Sequence, residues 1–168
     1  MEPAPLYPII EEAAKKAAIA WLTVPGGGAA YPVWCLWQDG ALHVVSGSDE
    51  QAAPGLAAAS TALVTMRGDH GGRVVAWPAD VSTVDPDSPQ WMTIAPQLAA
   101  KRLNAPGPAE GTVARWAAGC TLSRLSPAAA PAEAGPSLPD DAFAAPPRPT
   151  SATRRPRRPF KLHRVRRT

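Results

Sequence analysis

The fold is decided by one stretch of the sequence, YPVWCLWQDGALHVVSG, which covers residues 31–47. Two apolar segments flank the pair Asp39-Gly40, and an Asp-Gly pair in that setting is the strongest short signal for a β-hairpin. The stretch therefore predicts two antiparallel strands that are joined by a tight turn.

The first arm of this hairpin is apolar on both of its faces. Alternate side chains of a strand point to opposite faces. One face carries Tyr31, Val33, Cys35 and Trp37, and the other carries Trp34 and Leu36. Such a strand must be covered twice, which predicts a barrel interior on one side and a helix or a partner subunit on the other.

The flanking sequence predicts further strands and helices. A second hairpin is predicted from TALVTMR (61–67) and RVVAWPADVSTV (73–84), in which Pro78 indicates an edge or a bulge. Ser88-Pro89 is a typical helix start, and Pro96 is expected to kink or split that helix. The other predicted helices cover residues 8–18 and 108–118, and the other predicted strands cover residues 19–24 and 120–125.

Composition divides the chain into a domain, residues 1–125, and a tail, residues 126–168. All six Trp residues lie before Ser126, and nine prolines follow between Pro127 and Pro159. Residues 148–168 hold nine basic and no acidic side chains. A segment of this composition cannot bury enough apolar surface to fold, so we expect a disordered Pro/Ala-rich linker and an Arg-rich basic end.

Several classes of protein are disfavoured by the sequence. Two cysteines without CxxC spacing are too few for a disulfide framework. Charged residues interrupt the N-terminal segment, and no apolar run is long enough to span a membrane, so we expect a soluble, cytoplasmic protein. His43 has no ligand-type neighbour at metal-binding spacing, and G-x-S-x-G and phosphate-loop motifs are absent from the sequence. We expect no metal site.

The order of these elements resembles the split β-barrel of the pyridoxamine phosphate oxidase-like flavin and deazaflavin oxidoreductases. The resemblance covers residues 5–125, and its best local match is residues 31–47 followed by a loop, a short helix near Pro54-Gly55-Leu56 and TALVTMRG. It implies a mainly β protein with flanking helices (α+β). It also implies a homodimer that binds FMN or a deazaflavin in grooves at the subunit interface.

The resemblance also indicates where the cofactor would bind. It implies a phosphate site at the strand end formed by Ser46, Gly47 and Ser48, where hydroxyls and backbone N–H groups can hold an anion. The following loop, Asp49-Glu50-Gln51, is acidic where basic residues are expected, and this disfavours a phosphate there.

The remaining candidates for cofactor binding are distributed along the chain. Trp34 and Trp37 are candidates for stacking on the flavin ring, with packing in the core or at a dimer interface as the alternative. The positive charge would then come from four basic residues, Arg67, Arg73, Lys101 and Arg102.

Three functional hypotheses follow from the sequence. The first is an oxidoreductase that binds FMN or a deazaflavin and transfers a hydride to or from a small organic molecule. The second is a non-catalytic dimer that has lost the cofactor. The third is a dimeric platform whose basic tail binds nucleic acid weakly and without sequence preference. The sequence identifies no catalytic residue.

Overall fold

The computed structural model describes residues 7–47, 49–135, 138, 144–146 and 150 of the chain. Within this part, the helices are α1 (Pro8–Lys16), a 3₁₀ helix (Leu56–Ala58), α2 (Pro89–Lys101) and α3 (Ala109–Gly119). The strands are β1 (Ile19–Thr23), β2 (Tyr31–Trp34), β3 (Leu36–Gln38), β4 (Ala41–Gly47), β5 (Thr61–Arg67), β6 (Arg73–Thr83), β7 (Cys120–Pro127) and β8 (Glu133–Ala134). The described residues contain no helix that is long and apolar enough to cross a membrane.

The predicted hairpin at residues 31–47 is confirmed, with one modification in its first arm. Asp39 and Gly40 have φ values of 51° and 69°, as the two-residue turn requires. Cys35 divides the first arm into β2 and β3. The strand β3 pairs with β4, whereas β2 pairs with β1.

This change of partner at Cys35 closes the barrel. The antiparallel strands follow the order β2-β1-β5-β6-β7-β4-β3, with β8 beside β6. The two ends of that order, β2 and β3, are consecutive in the chain and are joined by Cys35. The result is a nearly closed antiparallel barrel with flanking helices, as the sequence predicted.

The two faces of the divided arm pack into two separate cores. Val33 and Cys35 belong to the barrel interior, where Trp77 is fully buried. Leu36 and the partly buried Trp34 pack outside the barrel against side chains of α2 and α3. Of the two coverings that the sequence allowed for this outer face, a helix or a partner subunit, the described structure supplies helices of the same chain.

The helix α2 begins as the sequence predicted but is not split. The Ser88 hydroxyl accepts a hydrogen bond from the Trp91 backbone N–H at 3.2 Å, which caps the helix. The helix continues through Pro96 to Lys101. Since Pro96 is exposed, its ring lies away from the core, and the buried stripe around Ile94 and Leu98 is uninterrupted.

Pro78 lies in a strand with neighbours on both sides, not at an edge or at a bulge. One side of β6 pairs with β5. On the other side, β7 pairs with Ala79–Thr83 and β8 pairs with Val75 and Ala76, so Pro78 lies in the gap between them. Its missing N–H therefore removes no ladder hydrogen bond.

The sheet extends past the boundary that composition predicted at residue 125. Strand β7 ends at Pro127, and β8 adds Glu133 and Ala134 to the sheet. The boundary therefore falls inside a strand, because pairing with β6 continues where apolar composition ends. The Arg-rich end, residues 151–168, lies outside the described residues, so its disorder stays a prediction.

Candidate functional site

A groove of about 430 Å³ opens beside Cys35, where the two ends of the barrel sheet meet. The end of α1, the junction of β2 and β3, and the end of α2 form its walls. We call it the seam groove. Its polar and aromatic lining consists of Lys15, Lys16, Trp34, Trp37, Lys101 and Arg102. Four of the predicted cofactor-binding residues, from two distant parts of the sequence, therefore lie together.

The four cations of the seam groove differ in their partners. Lys15 and Lys16 each pair with a glutamate one helical turn earlier, with N–O distances of 2.5 Å to Glu11 and 3.3 Å to Glu12. Arg102 pairs with Glu50, 2.9 Å away. Lys101 is exposed and forms no ion pair with any residue that the structure describes. Lys101 is therefore the cation most available to an anionic ligand.

Glu50 lies behind the groove wall and accepts hydrogen bonds from three side chains. Its side chain is 0% exposed. Arg102 Nε donates to Oε2 at 2.9 Å, while Arg115 and Trp116 Nε1 donate to Oε1 at 3.2 and 3.0 Å. The Arg102 guanidinium also lies 5.9 Å from the centroid of the Trp34 ring. The loop carboxylate that appeared to oppose a phosphate therefore points inward and orders the groove wall.

Gln51 replaces a missing strand neighbour at the junction of β2 and β3. Its Oε1 accepts from the Trp34 backbone N–H at 2.6 Å, and its Nε2 donates to the backbone carbonyls of Trp34 and Val45, both at 2.9 Å. These are groups that a neighbouring strand would otherwise satisfy. One side-chain amide thus links the end of β2 to β4.

Ser46 and Gly47, the predicted phosphate site, do not line the seam groove. Ser46 is buried and pairs with Thr121 of β7. A Cβ placed on Gly47 would lie 2.7 Å from Cys120 Sγ and 3.1 Å from the Gly119 carbonyl oxygen. The glycine is thus explained by close packing of two strands. Ser48 lies outside the described residues.

Arg67 and Arg73 lie near the turn between β5 and β6, away from the two tryptophans of the groove. The Arg67 guanidinium lies 4.6 Å from the Trp21 ring centroid and donates to the Gly71 carbonyl at 3.0 Å. It lines a second groove of about 480 Å³. Arg73 lies 3.8 Å from Glu133. The two grooves share Lys16 and Ala17, so they flank the end of α1.

Two titratable side chains near the barrel wall are held neutral. Burial raises the pKa of Cys35 to about 12, so this groove-lining residue remains a thiol. Burial, and secondarily the charge of Arg124, lowers the pKa of His43 to about 4. The described residues contain no cluster of three or more His, Cys, Asp or Glu side chains placed to hold a metal ion.

Sequence reasoning missed four residues that organise the site: Glu50, Gln51, Arg115 and Trp116. The contacts of Glu50 join residues that are 52 to 66 positions apart. No local periodicity carries such a signal, and an acidic loop is ordinarily solvated. The helix that carries Arg115 was predicted, but its rotation relative to the loop was not.

Comparison with known proteins supports the fold. No family model and no curated protein matches the chain. The heme storage protein HutZ from Vibrio cholerae is 18% identical, with a TM-score of 0.54 over 74% of this chain and 91% of that protein. A Listeria innocua protein described as a "putative pyridoxamine 5'-phosphate oxidase" is 13% identical, with a TM-score of 0.51 over 71% and 91% of the two chains. This chain therefore has the split β-barrel fold of the pyridoxamine 5'-phosphate oxidase-like proteins.

Proposed function

We propose that the seam groove binds a planar, anionic cofactor, FMN or a deazaflavin, and that the protein is an oxidoreductase for a small organic molecule. The carrying observation is that two half-buried indoles, Trp34 and Trp37, line one groove with Lys101 and Arg102. Indoles offer flat apolar surface to a flavin ring, and the two cations suit its phosphate. A volume of about 430 Å³ also lies within the usual range of cofactor sites.

The charge balance around the groove favours an anion. Glu11 and Glu12 neutralise the two lysines of α1. The carboxylate of Glu50 offsets only one of its two arginines, because both contact the same group. Together with Lys101, this cluster leaves a net positive charge at the groove wall.

The protein's part in the chemistry is to bind and orient. When bound, the cofactor would supply hydride transfer, and Trp34 and Trp37 would hold its ring in place. Cys35 offers no thiolate, since burial raises its pKa to about 12. We assign no catalytic residue.

The test is cofactor uptake by the purified protein. We expect a flavin absorption spectrum, or stoichiometric uptake of FMN measured by equilibrium dialysis. Lys101→Gln should weaken FMN binding by about three- to tenfold because one cation near the phosphate is lost. Riboflavin, which lacks the phosphate, is the matched control and should bind the variant and the wild type equally. Failure to take up either a flavin or a deazaflavin would reject the proposal.

A cofactor-free binding module is the second candidate. It is favoured by the packing of Gly47 against Cys120 at the strand end where the resemblance implies a phosphate. A colourless protein that takes up no flavin or deazaflavin would select it.

Haem is a less suitable ligand for the seam groove, although one protein of similar fold is a heme storage protein. Of the two histidines in the described residues, His43 is fully buried and His70 lies at the exposed turn between β5 and β6. Neither lines the groove. Titration with haemin of the protein that lacks residues 151–168, and with them His163, should therefore give no Soret shift typical of histidine ligation.

We also propose that the protein is a homodimer that associates through the surface around α1. Of the six exposed large hydrophobic side chains in the described residues, four line the two grooves: Ile9, Ile19, Val74 and Leu103. Sedimentation should give a dimer that Leu103→Asp dissociates. Met92→Asp is the control, because Met92 is 66% exposed but lines a different groove, between α2 and α3. A monomeric wild type would contradict the proposal.

The basic end supports a separate, weaker proposal of nucleic-acid contact. Nine basic residues and no acidic residue occur in residues 148–168, which favours binding to phosphates through counterion release. Removal of residues 151–168 leaves β7 and β8 intact and should abolish retention on DNA at low salt. Retention that survives the deletion would contradict this role.

A further inference from the structure

Glu50 carries a carboxylate that is enclosed although charged groups are costly to bury. Its side chain is 0% exposed and both of its oxygens accept hydrogen bonds. Donors from α3 and from the end of α2 converge on it, so the loop after β4 is tied to both helices. A buried carboxylate of this kind persists because its partners satisfy it.

The contact fixes Arg102, the one arginine of the described residues that lines the seam groove. Arg102 is the C-terminal cap of α2, and its backbone has already left the helical conformation. A long side chain at such a position would ordinarily sample many rotamers. Here Nε donates to Glu50, Nη1 donates to the Leu103 carbonyl, and the guanidinium lies beside the Trp34 ring. The side chain is 24% exposed, so part of the fork still faces outward.

We propose that Glu50 is a positioning residue for ligand binding: it holds Arg102 beside Trp34 so that the exposed part of the guanidinium meets the cofactor's phosphate. This inference rests on the proposed function of the seam groove. Glu50 itself touches no ligand. Its role is to restrict the Arg102 side chain before the ligand binds, which reduces the conformational entropy lost on binding.

The direction in which Glu50→Gln changes FMN affinity distinguishes a positioning role of Glu50 from a purely electrostatic one. Glu50→Gln removes a negative charge behind the groove, so electrostatics alone predicts tighter binding of FMN. Positioning predicts weaker binding, because the charged acceptor that holds Arg102 is gone. Glu50→Asp keeps the charge but withdraws it by one methylene, and positioning again predicts weaker binding.

The experiment measures the dissociation constants of FMN and riboflavin for the wild type and for these two variants. We expect about tenfold weaker FMN binding for Glu50→Gln and Glu50→Asp, with riboflavin affinity unchanged within twofold. Asp87→Asn makes the same charge change as Glu50→Gln in the exposed turn that precedes α2 and should alter neither constant. Tighter FMN binding by Glu50→Gln would overturn the proposal.

Two further measurements keep the test decisive if a Glu50 variant does not fold or if the protein binds no flavin. Arg102→Lys keeps the positive charge but lacks the Nε–H that donates to Glu50, so it should weaken FMN binding about as much as Glu50→Asp. An Arg102→Lys variant that binds FMN as tightly as the wild type would overturn the proposal. The NMR signal of Arg102 Nε–H should be protected from solvent exchange in the wild type and lose this protection in Glu50→Asp. If the wild type binds neither FMN nor riboflavin, the proposed function fails, and the Arg102 Nε–H signal alone decides whether Glu50 holds Arg102. The same protection of this signal in Glu50→Asp as in the wild type would overturn the positioning role.

Discussion

Of the two arms of the hairpin at residues 31–47, the first is the more apolar in sequence, whereas the second is the more completely buried in the structure. Residues 41–46 of β4 are all buried, and β4 pairs with β3 on one side and β7 on the other. The other arm changes partners at Cys35 and leaves Trp34 and Trp37 only half buried. Strand pairing, more than hydrophobicity, therefore determines which arm is buried and which arm borders a groove.

The interruption also explains why the groove forms where it does. A strand that leaves one sheet end and joins the other has a gap in its ladder, and its backbone groups need other partners. Gln51 supplies them at Trp34. The aromatic side chains at the gap then face a surface that is not covered by a further strand.

The largest expected effect tests the burial of β4 through His43. Its pKa is about 4 in the folded protein, against 6.5 for an ordinary histidine, so the unfolded chain binds more protons between these values. The contribution of His43 to stability should therefore be fully present well above pH 6.5 and should fall by roughly 3 kcal/mol as the pH is lowered to 4. Urea unfolding as a function of pH measures this loss.

The control for this prediction is a pair of histidine variants. His43→Leu should lose that part of the pH dependence, whereas His70→Gln, at an exposed turn, should keep it. Equal slopes for His43→Leu and the wild type would mean that β4 is not sealed from water.

The next effect tests the divided arm through Gln51. Gln51→Leu should lower the free energy of unfolding by about 2 to 3 kcal/mol, because the backbone groups of Trp34 and Val45 lose their partners. Gln97→Leu changes a half-buried glutamine whose side-chain hydrogen bond is exposed and stays within α2, and it should cost less than about 0.5 kcal/mol. If both variants are equally stable, Gln51 does not stand in for a strand.

A smaller effect tests how closely the end of β4 is packed. Gly47→Ala should destabilise the protein by about 1 to 2 kcal/mol, since its Cβ would lie 3.1 and 3.2 Å from backbone atoms of Gly119 and Cys120. Gly111→Ala has open space on α3 and should stabilise the protein by up to about 1 kcal/mol. The two Gly→Ala variants should thus shift the thermal midpoint in opposite directions, and a neutral Gly47→Ala would indicate an open strand end.

The barrel could be predicted from local signals. Asp39-Gly40 identified the hairpin, two-sided hydrophobicity in residues 31–37 required two coverings, and Ser88-Pro89 marked the start of α2; the structure confirms all three. Each signal lies within a few residues of the feature that it specifies.

The groove wall could be predicted only in part. Trp34 was a candidate for stacking on a flavin ring and Arg102 for binding the phosphate, and the two side chains do lie together. The roles of Glu50 and Gln51 depend on how a loop folds inward against two helices, and long-range packing of this kind leaves no periodic pattern in the sequence. From the sequence, Glu50 was therefore expected to oppose phosphate binding, whereas in the structure it holds Arg102 at the groove wall.

The most direct test locates the ligand by the indole N–H signals of the tryptophans in an FMN titration followed by NMR, with each signal assigned by a Trp→Phe variant. The account predicts that the signals of Trp34 and Trp37 shift as FMN is added, while that of Trp77, fully buried in the barrel interior, does not. Shifts confined to Trp21 or Trp91, or no shift at any indole, would contradict binding in the seam groove.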